Sequence, residues 1–176
     1  VKQLEIALYR KLFKISKLVL FKEFENYKLQ KALDCCVSNS DYYYKKFVNS
    51  ILLCRYENLF SKYPVLARKL TITVNRYIGF AAKMFKRLSS DLTEIQSYFS
   101  VSLEKIEKIH LDSGDQHHGE STTIFEFCNK FKIVYKPVDV GTTEAYNQFL
   151  KWVSKGLKNE LKSFKVIDKR TYGWLE

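Results

Sequence analysis

Proline and glycine are scarce, with two and six in 176 residues. No Ser/Gly-rich or single-residue tract interrupts the chain, which argues against a flexible linker or a disordered tail. No internal repeat is present. Uncharged apolar runs are missing too, because Lys17, Lys22, Arg76 and Lys83 break the stretches that approach bilayer length, so no transmembrane segment is expected and the chain reads as soluble. Cysteine is sparse and unpatterned. Cys35, Cys36, Cys54 and Cys128 form no CxxC pair, and His110, His117 and His118 lie far from the first three, so no metal site is expected. Four cysteines without a compact framework read as reduced, buried thiols in a cytoplasmic protein. A start methionine is lacking at Val1, and the first residues read as the middle of an amphipathic helix and not as a signal peptide. The chain is therefore expected to be cut from something longer.

Hydrophobic residues make up 46% of the chain, enough for one sizeable core or for two small lobes that share a boundary. Thirty Lys and Arg against nineteen Asp and Glu give a formal charge of +11, which favours an acidic partner such as nucleic acid, anionic lipid, nucleotide or acidic peptide. The basic residues are scattered through helical stretches, as at Lys11, Lys14, Lys17 and Lys22, a spacing typical of a solvated face.

From Val1 to about Lys28, Leu4, Leu8, Leu12, Ile15 and Val19 recur at three-to-four-residue steps, the period that turns one stripe of a long helix toward a core. Asn39 and Ser40 can cap a second helix with Phe47, Ile51, Leu52 and Leu59 inward, and Pro64 marks a break. A third helix is expected from Val65 to Leu88. Ser90 or Asp91 can cap a short fourth, since Glu94 stands where a capping-box partner of Asp91 belongs.

After about Ser100 the period becomes alternating. Ile106, Ile109 and Leu111, then Thr123, Phe125 and Phe127, then Phe131, Ile133 and Tyr135 predict three strands. The last two are separated by Cys128-Asn129-Lys130, which predicts an antiparallel hairpin. A helix from about Thr142 to Leu157 follows, with Tyr146, Phe149, Leu150 and Val153 inward, and Phe164–Ile167 and Tyr172–Trp174 predict a further strand pair. The expected fold class is α+β, with a helical region over 1–100 and a small antiparallel sheet plus helix over 101–176.

Between the first two strands, residues 112–121 form the densest cluster of polar and glycine residues. Gly114 to Ser121 fits the P-loop pattern except that Glu120 replaces its lysine. A carboxylate there would repel phosphate, and the segment leads into a strand, whereas a P-loop opens a helix. A second phosphate-binding arrangement fits better: a glycine-containing loop joins the first two strands of a sheet, and a lysine on the third strand neutralises the phosphates. Lys136 ends the third strand, and Pro137 keeps its backbone extended. Gly114 and Gly119 would line the loop. Taken singly, Lys136 reads equally as an ordinary strand-end lysine, His117 as a solvated loop histidine and Asp115 as a turn residue; their joint presence beside Gly114 and Gly119 is what marks Asp115 and His117 as catalytic candidates.

Gly114-Asp115-Gln116-His117-His118-Gly119, followed by Ile133-Val134-Tyr135-Lys136-Pro137 and then Tyr172-Gly173-Trp174, resembles the dehydratase domain of class II (LanM-type) lanthipeptide synthetases, where a GDxHxxG loop precedes a VYKP strand and a YGW element. The stretch around Phe149, Leu150 and Trp152 is similar to that family's intervening segment. The resemblance implies a lipid-kinase-like fold whose N-lobe portion is the sheet-bearing half of this chain. It implies ATP- and Mg2+-dependent phosphorylation of Ser and Thr in a ribosomal precursor peptide, then phosphate elimination to dehydroamino acids. Lys136 would contact nucleotide phosphates, Asp115 and His117 would belong to the shared reaction site, and Glu144 would pair with Lys136 by analogy with kinase helices. The catalytic-loop aspartate, the magnesium ligands, the elimination Arg and Thr and a zinc cyclase domain are expected beyond residue 176, so this piece alone is expected to be inactive. The chain departs from the family pattern at Glu120, where a basic residue is common, and at Val138, where arginine often follows the proline.

Two other functions fit the composition. A basic, aromatic nucleic-acid-binding module would use Tyr and Phe to stack bases, but Tyr42-Tyr43-Tyr44 falls at helical spacing suited to packing, so nucleic acid is not the expected partner. A non-catalytic scaffold that docks the peptide would account for Glu120.

Overall fold

The computed structural model describes residues 2–32, 40–54, 56–117, 119–155 and 161–176. Cys35, Cys36 and Asn39, assigned above as thiols and a helix cap, lie outside the described residues. The elements are α1 (Lys2–Ala32), α2 (Ser40–Leu53), α3 (Glu57–Lys62), α4 (Pro64–Phe99), β1 (Ile106–His110), β2 (Gln116–His117), β3 (Glu120–Ser121), β4 (Thr123–Phe127), β5 (Lys132–Lys136), α5 (Gly141–Ser154), β6 (Val166–Asp168) and β7 (Gly173–Leu175). This is the α+β class expected, a helical region followed by a small antiparallel sheet. The chain forms two compact units, Leu8–Asn75 and Val1–Ala7 with Arg76–Glu176. No helix among the described residues is long and apolar enough to cross a membrane.

In the helical unit, Tyr43 and Phe47 of α2 are buried, and the Phe47 ring meets Phe24 at 5.4 Å and Tyr27 at 5.6 Å on α1. Leu52, expected inward, is 52% exposed. The inward stripe steps by four through buried Tyr43 and Phe47 to half-buried Ile51, so the next residue turns away. Glu23 accepts hydrogen bonds from Lys62 at 2.9 Å and from the Tyr63 hydroxyl at 2.7 Å. Burial pushes the Glu23 carboxyl up, but these two donors hold it below the ordinary range.

In the second unit, five antiparallel strands stand in the order β1-β4-β5-β7-β6, and β2 and β3 form a separate pair. Alternation sends Phe125, Phe127, Ile133, Tyr135, Ile167 and Trp174 to one face, where they form a buried core with Phe80, Met84, Leu88, Ile95 and Phe99 of α4. Burying each such side chain contributes about 1.5–3 kcal/mol.

Three further expectations are corrected. No break or new helix occurs at Ser90 or Asp91; α4 runs through both. Ser90 bonds back to the Lys86 carbonyl at 2.8 Å, and Asp91 is buried with tertiary partners, so neither oxygen caps a helix. On α5, Tyr146 and Phe149 are 51% and 55% exposed, while Asn147 and Leu150 are buried. The inward stripe is set by Asn147, which donates to the Phe164 carbonyl at 2.7 Å and accepts from the Phe164 N–H at 2.9 Å. Finally, Cys54 and Cys128 are free but exposed, one just past the end of α2 and the other in the β4–β5 turn.

Candidate functional site

The β1–β4 connection is a folded hairpin and not an open loop. The Ser113 N–H donates to the Thr122 carbonyl at 3.0 Å and closes its base, while Ser113 Oγ donates to the His110 carbonyl at 3.1 Å. Above the base, Gln116 pairs with Ser121 and His117 with Glu120. Gly119 makes the turn at φ +90°, a conformation that costs an L side chain, and a Cβ there would lie 3.3 Å from the Arg76 stem. Gly114 lies against the other foot, where a Cβ would come within 3.2 Å of Thr122 Oγ1. Glu120 forms an ion pair with Lys83 of α4. The carboxylate that departs from the phosphate-loop pattern is therefore neutralised within this unit. Asp115 is exposed. The side chain of His117 and the whole of His118 lie outside the described residues.

Lys136 closes β5 opposite Gly173 of β7. With Val134, Thr142, Thr143, Tyr146 and Phe164 it lines a shallow hollow of about 410 Å³. Asp139 shapes the chain between β5 and α5, accepting the Gly141 N–H at 2.6 Å. Glu144 is exposed on the first turn of α5, and no ion pair among the described residues joins it to Lys136.

Strand register relates the loop to the lysine. Thr123 pairs with Tyr135, so the hairpin enters β4 at the end of the sheet that Lys136 occupies. The two are secured from different faces: the hairpin reaches Arg76 and Lys83 of α4, while Lys136 opens toward the residues beside α5. Gly114, Asp115, His117 and Gly119 thus form one group and Lys136 and Glu144 another, at a shared end of the sheet. No hydrogen bond or ion pair joins the groups among the described residues.

Reasoning from motifs alone missed the support that α4 supplies. Arg87 donates to the Tyr135 hydroxyl at 2.6 Å and lies 3.9 Å over the Tyr172 ring. Asp91 Oδ2 accepts from Tyr172 Oη and Trp174 Nε1, both at 2.8 Å. Burial pushes the Tyr172 phenol up and the Asp91 hydrogen bond adds to it, while at Tyr135 burial raises the phenol against the opposing pull of Arg87. The signal was present as helical spacing of Arg76, Lys83, Arg87 and Asp91, four polar residues among the apolar ones of one helix. Tyr135 pairs with Trp174 and Lys136 with Gly173, so two motifs far apart in sequence are neighbouring strands.

Across the sheet, His110 lies 3.3 Å from Glu126, and this hydrogen bond chiefly holds the Glu126 carboxyl below its ordinary range. No group of three or more His, Cys, Asp or Glu among the described residues is arranged to hold a metal ion.

The chain is 29% identical over 136 residues to the lacticin 481/lactococcin biosynthesis protein LcnDR2 of Lactococcus lactis subsp. lactis, a match covering 69% of this chain and 14% of that protein. It thus spans only a small part of that relative's length. Residues 63–176 match the family described as a domain of unknown function, DUF4135. That match takes in all of α4, the hairpin, the sheet and α5, and the chain therefore belongs to the DUF4135 family, a domain found in LanM-type synthetases.

Proposed function

We propose that this chain is the nucleotide-binding edge of a lanthipeptide synthetase dehydratase, which phosphorylates Ser and Thr of a precursor peptide and then eliminates phosphate. The observation that carries this reading is the shared sheet end: the Gly114–Gly119 hairpin and the Lys136 strand both reach it, toward different faces, next to a helix that follows the lysine strand directly. That order of loop, strand, lysine and helix is the one kinase-like N-lobes use to hold phosphates. The relative's role in lantibiotic biosynthesis supports the substrate class.

ATP, when bound, supplies the phosphoryl group. Lys136 would neutralise phosphate oxygens, its ammonium being a compact charge suited to that task, and the hollow beside it offers the Thr142 and Thr143 side chains at the start of α5. Gly114 and Gly119 let the hairpin backbone approach closely. Glu144 would turn to Lys136 when the site closes. Asp115 and His117 would handle the protons: one taken from the peptide hydroxyl as it is phosphorylated, one taken from Cα as phosphate leaves with its bonding electrons. Magnesium ligands, and the cyclase that would use the product, are assigned to parts of the polypeptide outside these residues.

Lys136→Ala in the full-length polypeptide tests this directly. Phosphorylation of the precursor peptide should fall by at least about a hundredfold, and unchanged turnover removes the assignment.

A second reading, a peptide-docking scaffold without catalysis, is favoured by one observation. The helical unit carries thirteen Lys and Arg against five Asp and Glu over residues 8–75, and holds an apolar hollow of about 570 Å³ lined by Phe13, Leu18, Phe21, Tyr44, Phe47 and Leu52. Peptide binding retained without nucleotide binding would select it.

A further inference from the structure

The hairpin that carries Asp115 and His117 is fastened by residues outside the motifs that single it out. Glu120 meets Lys83, and Gly119 rests against the Arg76 stem. Arg76 and Lys83 are seven residues apart on α4, two turns of one helix face, so the hairpin touches the helix at two successive points. We propose that Lys83 is a positioning residue: its ion pair with Glu120, steadied by Arg76 under the turn, fixes where Asp115 and His117 stand. This rests on the functional reading above.

Three observations carry it. Glu120 is directly cross-strand from His117, so a tether on one sets the backbone of the other. The pair is partly sunk, with side-chain exposure of 23% at Glu120 and 41% at Lys83, so it is screened less than a pair standing in open water. Among the described residues, the backbone holds on the hairpin are a pairing two residues long in each strand and the Ser113–Thr122 bond at its base, and so short a ribbon is marginal by itself. The same ion pair also cancels the carboxylate charge that would otherwise oppose a phosphate at this loop.

The test is a charge swap read in two ways. Hydrogen exchange on the 176-residue chain reports the tether without any activity: Lys83→Glu and Glu120→Lys should each speed exchange of amides 113–122 at least about fivefold, leave β4 and β5 unchanged, and return to within about twofold of the parent chain in the double swap. In the full-length polypeptide, each single variant should slow dehydration about tenfold to a hundredfold and shift the ratio of phosphorylated to dehydrated peptide, a readout that loss of folded protein does not move. The double swap should restore both. Unchanged exchange in the single variants, or no rescue in the double, overturns the tether even where Lys136 is essential. Faster exchange with unaffected dehydration overturns the positioning role. If Lys136→Ala is harmless while the exchange results hold, the tether stands and the functional reading is what fails.

Discussion

Asp91 and Trp174, 83 residues apart in sequence, are joined by a 2.8 Å hydrogen bond inside the core, and Tyr172 donates to the same carboxylate oxygen. The Tyr172 and Trp174 of the family motif thus act as clamps on α4, and the glycine between them lets the clamp close. Lys169 adds an ion pair at 3.4 Å to the other oxygen.

Removing that acceptor should be costly. Asp91→Ala leaves the Trp174 indole N–H buried and unpaired and is expected to lose about 2–4 kcal/mol, whereas Asp91→Asn, which keeps an acceptor, should lose about half as much. Urea unfolding reports both, as a lower midpoint at unchanged slope. Equal losses would contradict the hydrogen-bond account.

Gly173 is fixed by space. A Cβ there would lie 2.4 Å and 2.8 Å from the two methyls of Val140 and 2.9 Å from the Ile167 carbonyl. Gly173→Ala should destabilise by at least about 2 kcal/mol, and Val140→Ala in the same chain should recover part of this, because it removes two of the three clashes. A Gly173→Ala variant as stable as the parent would show that β7 shifts without cost.

Alkaline pH should unfold the sheet-bearing unit early. Burial, with Asp112 adding to it, pushes the Tyr77 phenol up to about 12, and burial also raises Tyr135 and Tyr172. Unfolded phenols ionise first, near pH 10, so the stability is complete below that value; Tyr77 loses its share as pH rises from there toward 12, at up to about 1.4 kcal/mol per pH unit, and Tyr135 and Tyr172 add to the loss in the same direction. Tyr77→Phe cannot ionise and should flatten this slope. Chemical denaturation at several pH values from neutral upward measures it, and an unchanged slope would contradict the assignment.

Asn147 joins α5 to the segment before β6 through two hydrogen bonds with the Phe164 backbone. Asn147→Ala should cost about 2 kcal/mol and speed exchange at 161–165, and because Phe164 lines the hollow beside Lys136 it should also weaken nucleotide binding. Nucleotide titration of the variant checks the second effect.

Period alone made the strands legible. Alternation across Thr123–Phe127 and Lys132–Lys136 marked a pair whose turn is closed by Asn129, which accepts the Phe131 N–H at 3.1 Å, with Lys130 at φ 65°. Three features were hidden because tertiary partners decide them. Asp91 looks like a helix cap until Trp174 is placed beside it. Asn147 looks like a surface residue until Phe164 needs its amide. The β2–β3 hairpin is too short to leave an alternating pattern, and its anchors Arg76 and Lys83 lie on a helix whose basic residues read as solvated. The candidate residues were picked out by motif, but their division between the two faces of the sheet was not legible, since a motif carries order and not direction.

The most direct measurement is the reactivity of the Lys136 amine toward an acylating reagent in the full-length polypeptide, with and without ATP and magnesium, read by mass spectrometry. Lys132, on the same strand and 60% exposed, is the internal control. Protection of Lys136 by at least about tenfold, with Lys132 unaffected, is the result predicted for an ammonium covered by phosphates. Equal labelling of Lys136 in both conditions would contradict a nucleotide site at this end of the sheet.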